Sequence, residues 1–278
     1  MPALSIQQHI AQAAEKLSAV SDSPTTDAEW LALDLLKIPK AQLVEIKNEP
    51  PPAEFENDYA AYIQRRLEAE PVQYITGSTY FYNTHIVVGP GVLIPRPETE
   101  ILIEELLKLL PKNSNVLDLC TGSGCILFAI ATEIATVELT GTDISDDALS
   151  WARKNARALN LPEIRFLKGS LFEPVAGEKF DIISANPPYI SPGDYDALSD
   201  TVKSHEPQIA LQAADEGLAV YKEIIEDARK YLVDEGWLIL EIGETQADAI
   251  STILEQHDFK EIKISQDFTG RDRIIIAQ

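Results

Sequence analysis

Val116-Leu117-Asp118-Leu119-Cys120-Thr121-Gly122-Ser123-Gly124-Cys125-Ile126-Leu127 passes from an apolar strand, through a glycine-bearing turn, into the start of a helix. Glycines at the carboxyl end of a strand let the backbone turn tightly and approach a ligand closely. A dinucleotide-binding loop needs a third glycine where Leu127 stands, so that variant does not apply. Nineteen residues beyond Gly124, a second apolar run ends in Gly141-Thr142-Asp143. A carboxylate there is placed to accept hydrogen bonds from both hydroxyls of a ribose. The pair points to a nucleoside-bearing cofactor; the plainer alternative is a tight turn followed by a helix cap.

Working outward, short apolar runs at 116–119, 137–142, 164–168, 180–184, 237–242, 260–264 and 273–277 alternate with helical stretches such as 148–159 and 218–232. This alternation predicts an α/β domain whose mainly parallel sheet is covered on both faces. The connection 265–272 is too short for a helical crossover, so the last strand is expected to insert antiparallel. Upstream, helical periodicity runs through Ile6, Ile10, Ala13, Ala14 and Leu17, through Thr26 to Lys37, and through Phe55 to Glu70. From Pro71 to Pro95 the spacing changes to period two, predicting a β-hairpin that turns near Tyr82-Asn83-Thr84. The expected organisation is a helical domain over 1–70, a hairpin linker over 71–95 and this α/β domain over 96–278.

The 278 residues carry 23 Lys and Arg against 45 Asp and Glu, a formal net charge of −22. That surplus repels a phosphate backbone and argues against a protein that grips bare nucleic acid. Cys120 and Cys125 are too few for a disulfide framework and lack the companions of a metal site, so a reducing compartment and no metal are expected. Residues 1–17 lack the pattern of a secretory or organellar leader, and no apolar run is long enough to span a bilayer. A cytoplasmic monomer without membrane contact is the expectation.

Chemistry is announced at Asp181-Ile182-Ile183-Ser184-Ala185-Asn186-Pro187-Pro188-Tyr189, where a strand runs into a tetrapeptide rich in acceptors. A planar NH₂ group conjugated to a carbonyl or ring is a feeble nucleophile because its lone pair is delocalised. The Asn186 side-chain oxygen and the Pro187 main-chain oxygen suit its two N–H bonds. Prolines supply no competing donor. Tyr189 can lie flat against the planar group.

Residues 116–189 resemble a class I S-adenosylmethionine-dependent methyltransferase of the amino-methylating kind. Leu93-Ile94-Pro95-Arg96-Pro97-Glu98-Thr99-Glu100, His205-Glu206-Pro207 and Asp267-Phe268-Thr269-Gly270-Arg271-Asp272-Arg273 narrow the likeness. They resemble the HemK/PrmC family, protein-(glutamine-N5) methyltransferases of peptide chain release factors, and the likeness covers nearly the whole chain. The resemblance implies a seven-stranded Rossmann-like sheet with one antiparallel strand and a helical substrate-recognition domain. It implies S-adenosylmethionine held by Cys120, Thr121, Gly122, Ser123, Gly124, Asp143, Leu171 and Asn186. The glutamine amide would be cradled by Asn186, Pro187, Pro188 and Tyr189, with Asn186, Pro187 and Tyr189 catalytic. The implied substrate is the glutamine of the Gly-Gly-Gln loop of class I release factors, methylated by direct in-line transfer.

Two departures from the family pattern carry expectations. Cys120 replaces a usual glycine, so the backbone there is not expected at positive φ. Ser170, in Gly169-Ser170-Leu171-Phe172, stands where an aspartate is usual, so adenine is expected between Leu171 and Ile144 with Ser170 or a backbone group as acceptor. Arg96 binds the donor carboxylate or pairs with Glu98, and Glu206 positions the loop or is a solvated acid; both pairs of alternatives stay open. Trp30, Trp151 and Trp237 read as core. A DNA adenine-N6 methyltransferase shares Asn-Pro-Pro-Tyr, but unstacking a base asks for basic grooves that this composition lacks. A non-catalytic adapter retaining a cofactor loop is the third reading, opposed by the intact tetrapeptide.

Overall fold

Two units divide the chain in a computed structural model that describes residues 4–278: one takes the described residues to Ser78 plus Ser199–His205, the other Thr79–Leu198 plus Glu206–Gln278. The first unit is built from α1 (Ile6–Leu17), α2 (Pro24–Leu36), α3 (Lys40–Ile46), α4 (Phe55–Leu67) and α5 (Val72–Thr76). Ser5 and Gln8 cap α1 reciprocally, each side chain accepting the other's backbone N–H. Leu17, Ala28, Leu31, Tyr59 and Ile63 share its core, and the Tyr59 hydroxyl donates to the Ala28 carbonyl at 2.9 Å. Buried Arg66 pairs with Asp27 at 2.8 Å. Trp30 is 45% exposed, off the Ala28–Leu31–Ala32 face, so it is not the core residue expected.

The hairpin is shorter than its period-two spacing predicts. Pro71 starts and Gly77 (φ 78°) ends the helix α5, which buries Val72, Tyr74 and Ile75. Only β1 (Ser78–Phe81) and β2 (Thr84–Val87) pair, across Tyr82-Asn83 with Tyr82 left-handed at φ 52°. Five residues are too few for periodicity to separate a helix from a strand.

The second unit continues with α6 (Glu100–Leu109), β3 (Asn115–Leu119), α7 (Cys125–Glu133), β4 (Glu138–Asp143), α8 (Asp146–Ala158), β5 (Arg165–Lys168) and β6 (Phe180–Ala185). After α9 (Pro192–Asp196), the chain enters the first unit for α10 (Asp200–His205). It then returns for α11 (Ala219–Tyr231), β7 (Leu232–Glu241), α12 (Ala247–Gln256), β8 (Lys263–Gln266) and β9 (Asp272–Ala277). The seven-stranded sheet has the order β5-β4-β3-β6-β7-β9-β8. All pairs are parallel except those of β9, which runs antiparallel to both β7 and β8, as the short final connection predicts. β7 begins five residues earlier than its apolar run, at Leu232, and β8 three later, at Lys263. Tyr221, Ile224 and Ile225 of α11 and Ile250 and Leu254 of α12 pack with Leu240 and Ile275 on one face of the sheet.

Strand order reverses at β3, which pairs with β4 on one side and β6 on the other. Open α/β sheets bind ligands outside the carboxyl ends of strands at such a switch point. Leu119 is in register with both Thr142 and Ala185. The residues that follow these three therefore leave the sheet at one level, facing one crevice.

Candidate active site

The turn after β3 is held by main-chain bonds: Thr121 N–H to Thr142 O at 3.0 Å and Gly124 N–H to Thr121 O at 2.9 Å. Cys120 adopts φ 55°, contrary to the expectation that a side chain here keeps the backbone out of the left-handed region. The fixed turn overrides a local preference worth about 1–2 kcal/mol. Gly124, at φ 81°, caps α7, and a Cβ there would meet the Phe128 ring at 2.7 Å. Its lack of a side chain lets helix and loop pack together.

Asp143 ends β4 with both carboxylate oxygens engaged, Oδ2 by Gly122 N–H and Oδ1 by Ser145 N–H, each at 2.9 Å. Burial raises its pKa against the pull of these donors. Every carboxylate oxygen has a second lone pair, so acceptor capacity remains for a ligand. Leu171 is also left-handed, at φ 45°, and its carbonyl accepts from Thr142 Oγ1 at 2.8 Å.

Cys120, Thr121, Gly122, Ser123, Asp143, Leu171, Asn186 and Pro188 line one cavity of about 350 Å³. Ile144, 54% exposed, and Ser170 line it too. Gly124, Pro187 and Tyr189 do not. Tyr189 packs on the α11 side of the core, where burial pushes its hydroxyl up to about 12.

The loop after β6 is fastened at several points. Asn186 Nδ2 donates to Thr99 Oγ1 at 3.2 Å, and Thr99 Oγ1 donates to Glu241 Oε2 at 2.5 Å. Gln246 Nε2 donates to the Tyr189 carbonyl at 3.1 Å. Ile190 N–H donates to Leu211 O, and Ala213 N–H to Ile190 O, both at 2.9 Å. Glu206 is buried; it accepts from Ile94 N–H at 3.1 Å and pairs with Arg96 at 2.6 Å. Glu206 is therefore no solvated acid but ties Ile94 and Arg96 together, and Arg96, which lines the cavity, pairs with Glu206 rather than Glu98.

Beneath the glycine loop, fully buried Asp118 accepts from Ser184 Oγ at 2.8 Å, and burial pushes its carboxyl up to about 7. Gly217, Glu241 and Gln246 had no site role in the sequence reading, and Asp118 and Thr99 entered it only inside motifs. Glu241 had a signal: a carboxylate closing the apolar run Trp237-Leu238-Ile239-Leu240. Gly217 had none.

Against known proteins, residues 8–77 match the PrmC N-terminal domain and residues 97–206 the methyltransferase small domain. A release factor glutamine methyltransferase of Thermodesulfovibrio yellowstonii is 42% identical over 256 residues, 91% of each chain. One from Coxiella burnetii is 38% identical over 277 residues, 99% of each chain. The chain belongs to the release factor glutamine methyltransferase family. Two solved structures share the fold of this methyltransferase. The ribosomal protein L11 methylase of Lactobacillus delbrueckii subsp. bulgaricus has a TM-score of 0.51 at 24% identity, over 69% of this chain and 83% of that one. A methyltransferase of Pyrococcus furiosus scores 0.54 at 19% identity, over 71% and 89%. The α/β class with one antiparallel strand is thus that of class I methyltransferases. Among the described residues no helix is long and apolar enough to cross a membrane.

Gly217 gives the methyltransferase a sharp sensitivity. It sits at φ 81°, where a Cβ would fall well inside contact with the Tyr189 carbonyl oxygen and 2.7 Å from Gln246 Nε2. Gly217→Ala is expected to lower stability by about 3 kcal/mol and to displace the loop after β6, since backbone cannot yield as a side chain does. Urea unfolding checks the first effect; a lowered kcat with near-normal donor affinity checks the second.

Proposed function

We propose that this methyltransferase uses S-adenosylmethionine to methylate the side-chain amide nitrogen of the glutamine in the Gly-Gly-Gln loop of class I peptide chain release factors. The observation that carries the reading is convergence: the glycine turn, Asp143 and Asn186 leave three in-register strands around one cavity. The residues fit the donor. A volume of about 350 Å³ lies within the range of small-molecule sites. Asp143 keeps free lone pairs for ribose hydroxyls, and Leu171 and Ile144 offer apolar walls to adenine.

When bound, the donor supplies an electrophilic methyl group: the nitrogen–carbon bond forms as the carbon–sulfur bond breaks, the thioether keeps the bonding pair, and an amide proton passes to solvent. Asn186 Oδ1 and the Pro187 carbonyl accept the amide N–H bonds and turn the nitrogen toward the methyl. Their hold tightens as charge grows on nitrogen, so they favour the transition state over the bound substrate. Pro188 closes the wall beside them. Tyr189 secures the loop through its carbonyl and its packing on the core, outside the cavity lining.

The helical unit, matching the PrmC N-terminal domain, is proposed to hold the release factor away from its Gly-Gly-Gln loop, making the substrate a bivalent guest. The protein is proposed to act as a cytoplasmic monomer without DNA or membrane contact. Acidity runs along the whole chain, six basic against twelve acidic side chains up to Pro90 and 17 against 33 beyond. A partner with a basic surface would then be steered in, and kcat/KM for whole release factor should fall as salt rises while that for a short peptide changes little. A flat salt response for the whole factor would contradict steering.

Mass spectrometry of co-incubated release factor tests the function. The expected result is one added methyl on the glutamine. Unmodified factor, or methyl transfer to adenine of duplex DNA instead, would overturn the reading.

A further inference from the structure

We propose that Thr99 and Glu241 orient the Asn186 side chain, fixing its carbonyl rather than its NH₂ toward the incoming glutamine. The inference rests on the glutamine-methylating reading above and concerns a step that reading leaves open. The two ends of an asparagine amide have nearly the same shape and opposite chemistry. An NH₂ substrate needs acceptors, so a flipped Asn186 would present two donors to a group that has only donors to give.

The bonds behind Asn186 settle its direction. An ionised carboxylate only accepts, so at Glu241 Oε2 the proton comes from Thr99. A threonine hydroxyl has one proton; once it is committed to Glu241, only lone pairs face Asn186. Nδ2 meets those lone pairs at 3.2 Å. A flipped carbonyl would meet them without any proton between. Thr99 is 2% and Glu241 1% exposed, so water does not compete for these bonds. The direction of the chain is thus set at its buried end, one strand away from the reacting group.

Glu241 is surrounded by charged and titratable groups from every element packed on it. Arg273 of β9 and Arg96 ahead of α6 favour its ionised form, while Glu98 opposes it. Tyr189 and Cys125 also lie near, and the Tyr221 hydroxyl donates to the Glu241 main-chain carbonyl at 2.7 Å. Burial outweighs the favourable partners and holds the carboxyl near 7. Above that pH Glu241 accepts and the chain of bonds has one direction. Below it, protonated Glu241 can donate to Thr99, whose own proton then turns toward Asn186 and unlocks the amide.

The test uses full-length enzyme, release factor and three variants. Thr99→Val keeps the shape and removes the hydroxyl; kcat should fall about 10-fold or more, the scale of a misaligned reacting group, with the donor Kd from calorimetry within about twofold of wild type. Thr99→Ser restores the hydroxyl and should restore kcat. Wild-type kcat should rise with pH through a midpoint near 7, and Glu241→Gln, which cannot ionise, should lose that limb. Wild-type kcat in Thr99→Val, equal defects in the Val and Ser variants, or an intact pH limb in Glu241→Gln would each overturn the orienting role. A wild-type enzyme that methylates no glutamine overturns the functional reading along with it. An active wild type with an unaffected Thr99→Val overturns the orienting role alone. Should Thr99→Val fail to fold, the Ser variant and the Glu241→Gln pH profile decide.

Discussion

Asn186→Ala is expected to lower kcat for glutamine methylation by about 10²-fold or more, the usual cost of removing one oriented polar contact at a reacting centre. Asn186 directly follows β6 and lines the cavity beside the glycine turn. Its carbonyl is the one side-chain acceptor in the tetrapeptide that can take an amide N–H. Alanine removes that acceptor and leaves the loop's other fastenings, Gln246 to Tyr189 and Ile190 to 211–213, in place. The loss should therefore appear in kcat, with donor affinity changed by less than about threefold, because an interaction that strengthens in the transition state is missing. Single-turnover transfer to release factor, beside calorimetric donor binding, separates the two quantities. A variant that methylates at the wild-type rate would remove Asn186 from the mechanism.

The second large effect is on stability. Asp118 and Glu241 are fully buried, and burial raises both carboxyls to about 7. In the unfolded chain such groups titrate near pH 4. Between about pH 4 and 7 the native state holds protons that the unfolded chain has released, so unfolding gives them up and stability falls as pH rises. The contribution is present on the acid side of that window and is lost by about pH 8, at a slope of up to about 1.4 kcal/mol per pH unit for each group. Urea midpoints should be higher near pH 5.5 than near pH 8. Asp118→Asn keeps an acceptor for Ser184 Oγ and cannot ionise, so it should flatten the slope and exceed wild type at the alkaline end. Equal slopes for variant and wild type would contradict the assignment to Asp118.

The sheet was legible because its central strands are buried and read as short apolar runs between helices, and because a short last connection admits only one strand direction. Asn186 and Asp143 were legible because each ends such a run with a polar side chain. What escaped reading depended on partners distant in sequence. Nothing near Thr99 announces Glu241, 142 positions later, and Glu206 looks like an ordinary loop acid until Ile94 and Arg96 are beside it. Cys120 misled for a related reason: intrinsic backbone preference argues against φ 55°, while the strand pairing of Leu119 before it and the Thr121 N–H bond after it impose it. Trp30 follows a helical pattern whose buried face is narrower than the run of apolar residues suggests.

The excursion of α10 into the helical unit has a consequence for how the protein is made. The chain passes between its two units at three points, after Ser78, Leu198 and His205. Ribosomes release a chain from its amino end, so most of the helical unit emerges first. Yet its last piece, Ser199–His205, follows β3 through β6 and the Asn-Pro-Pro-Tyr loop. The early helices thus gain their last neighbour only after most of the sheet strands have left the ribosome, although their own core lies wholly within residues 6–75. One cut at the first crossing, next to Gly77, should leave the two units joined through the second and third crossings, a protein nicked but not divided.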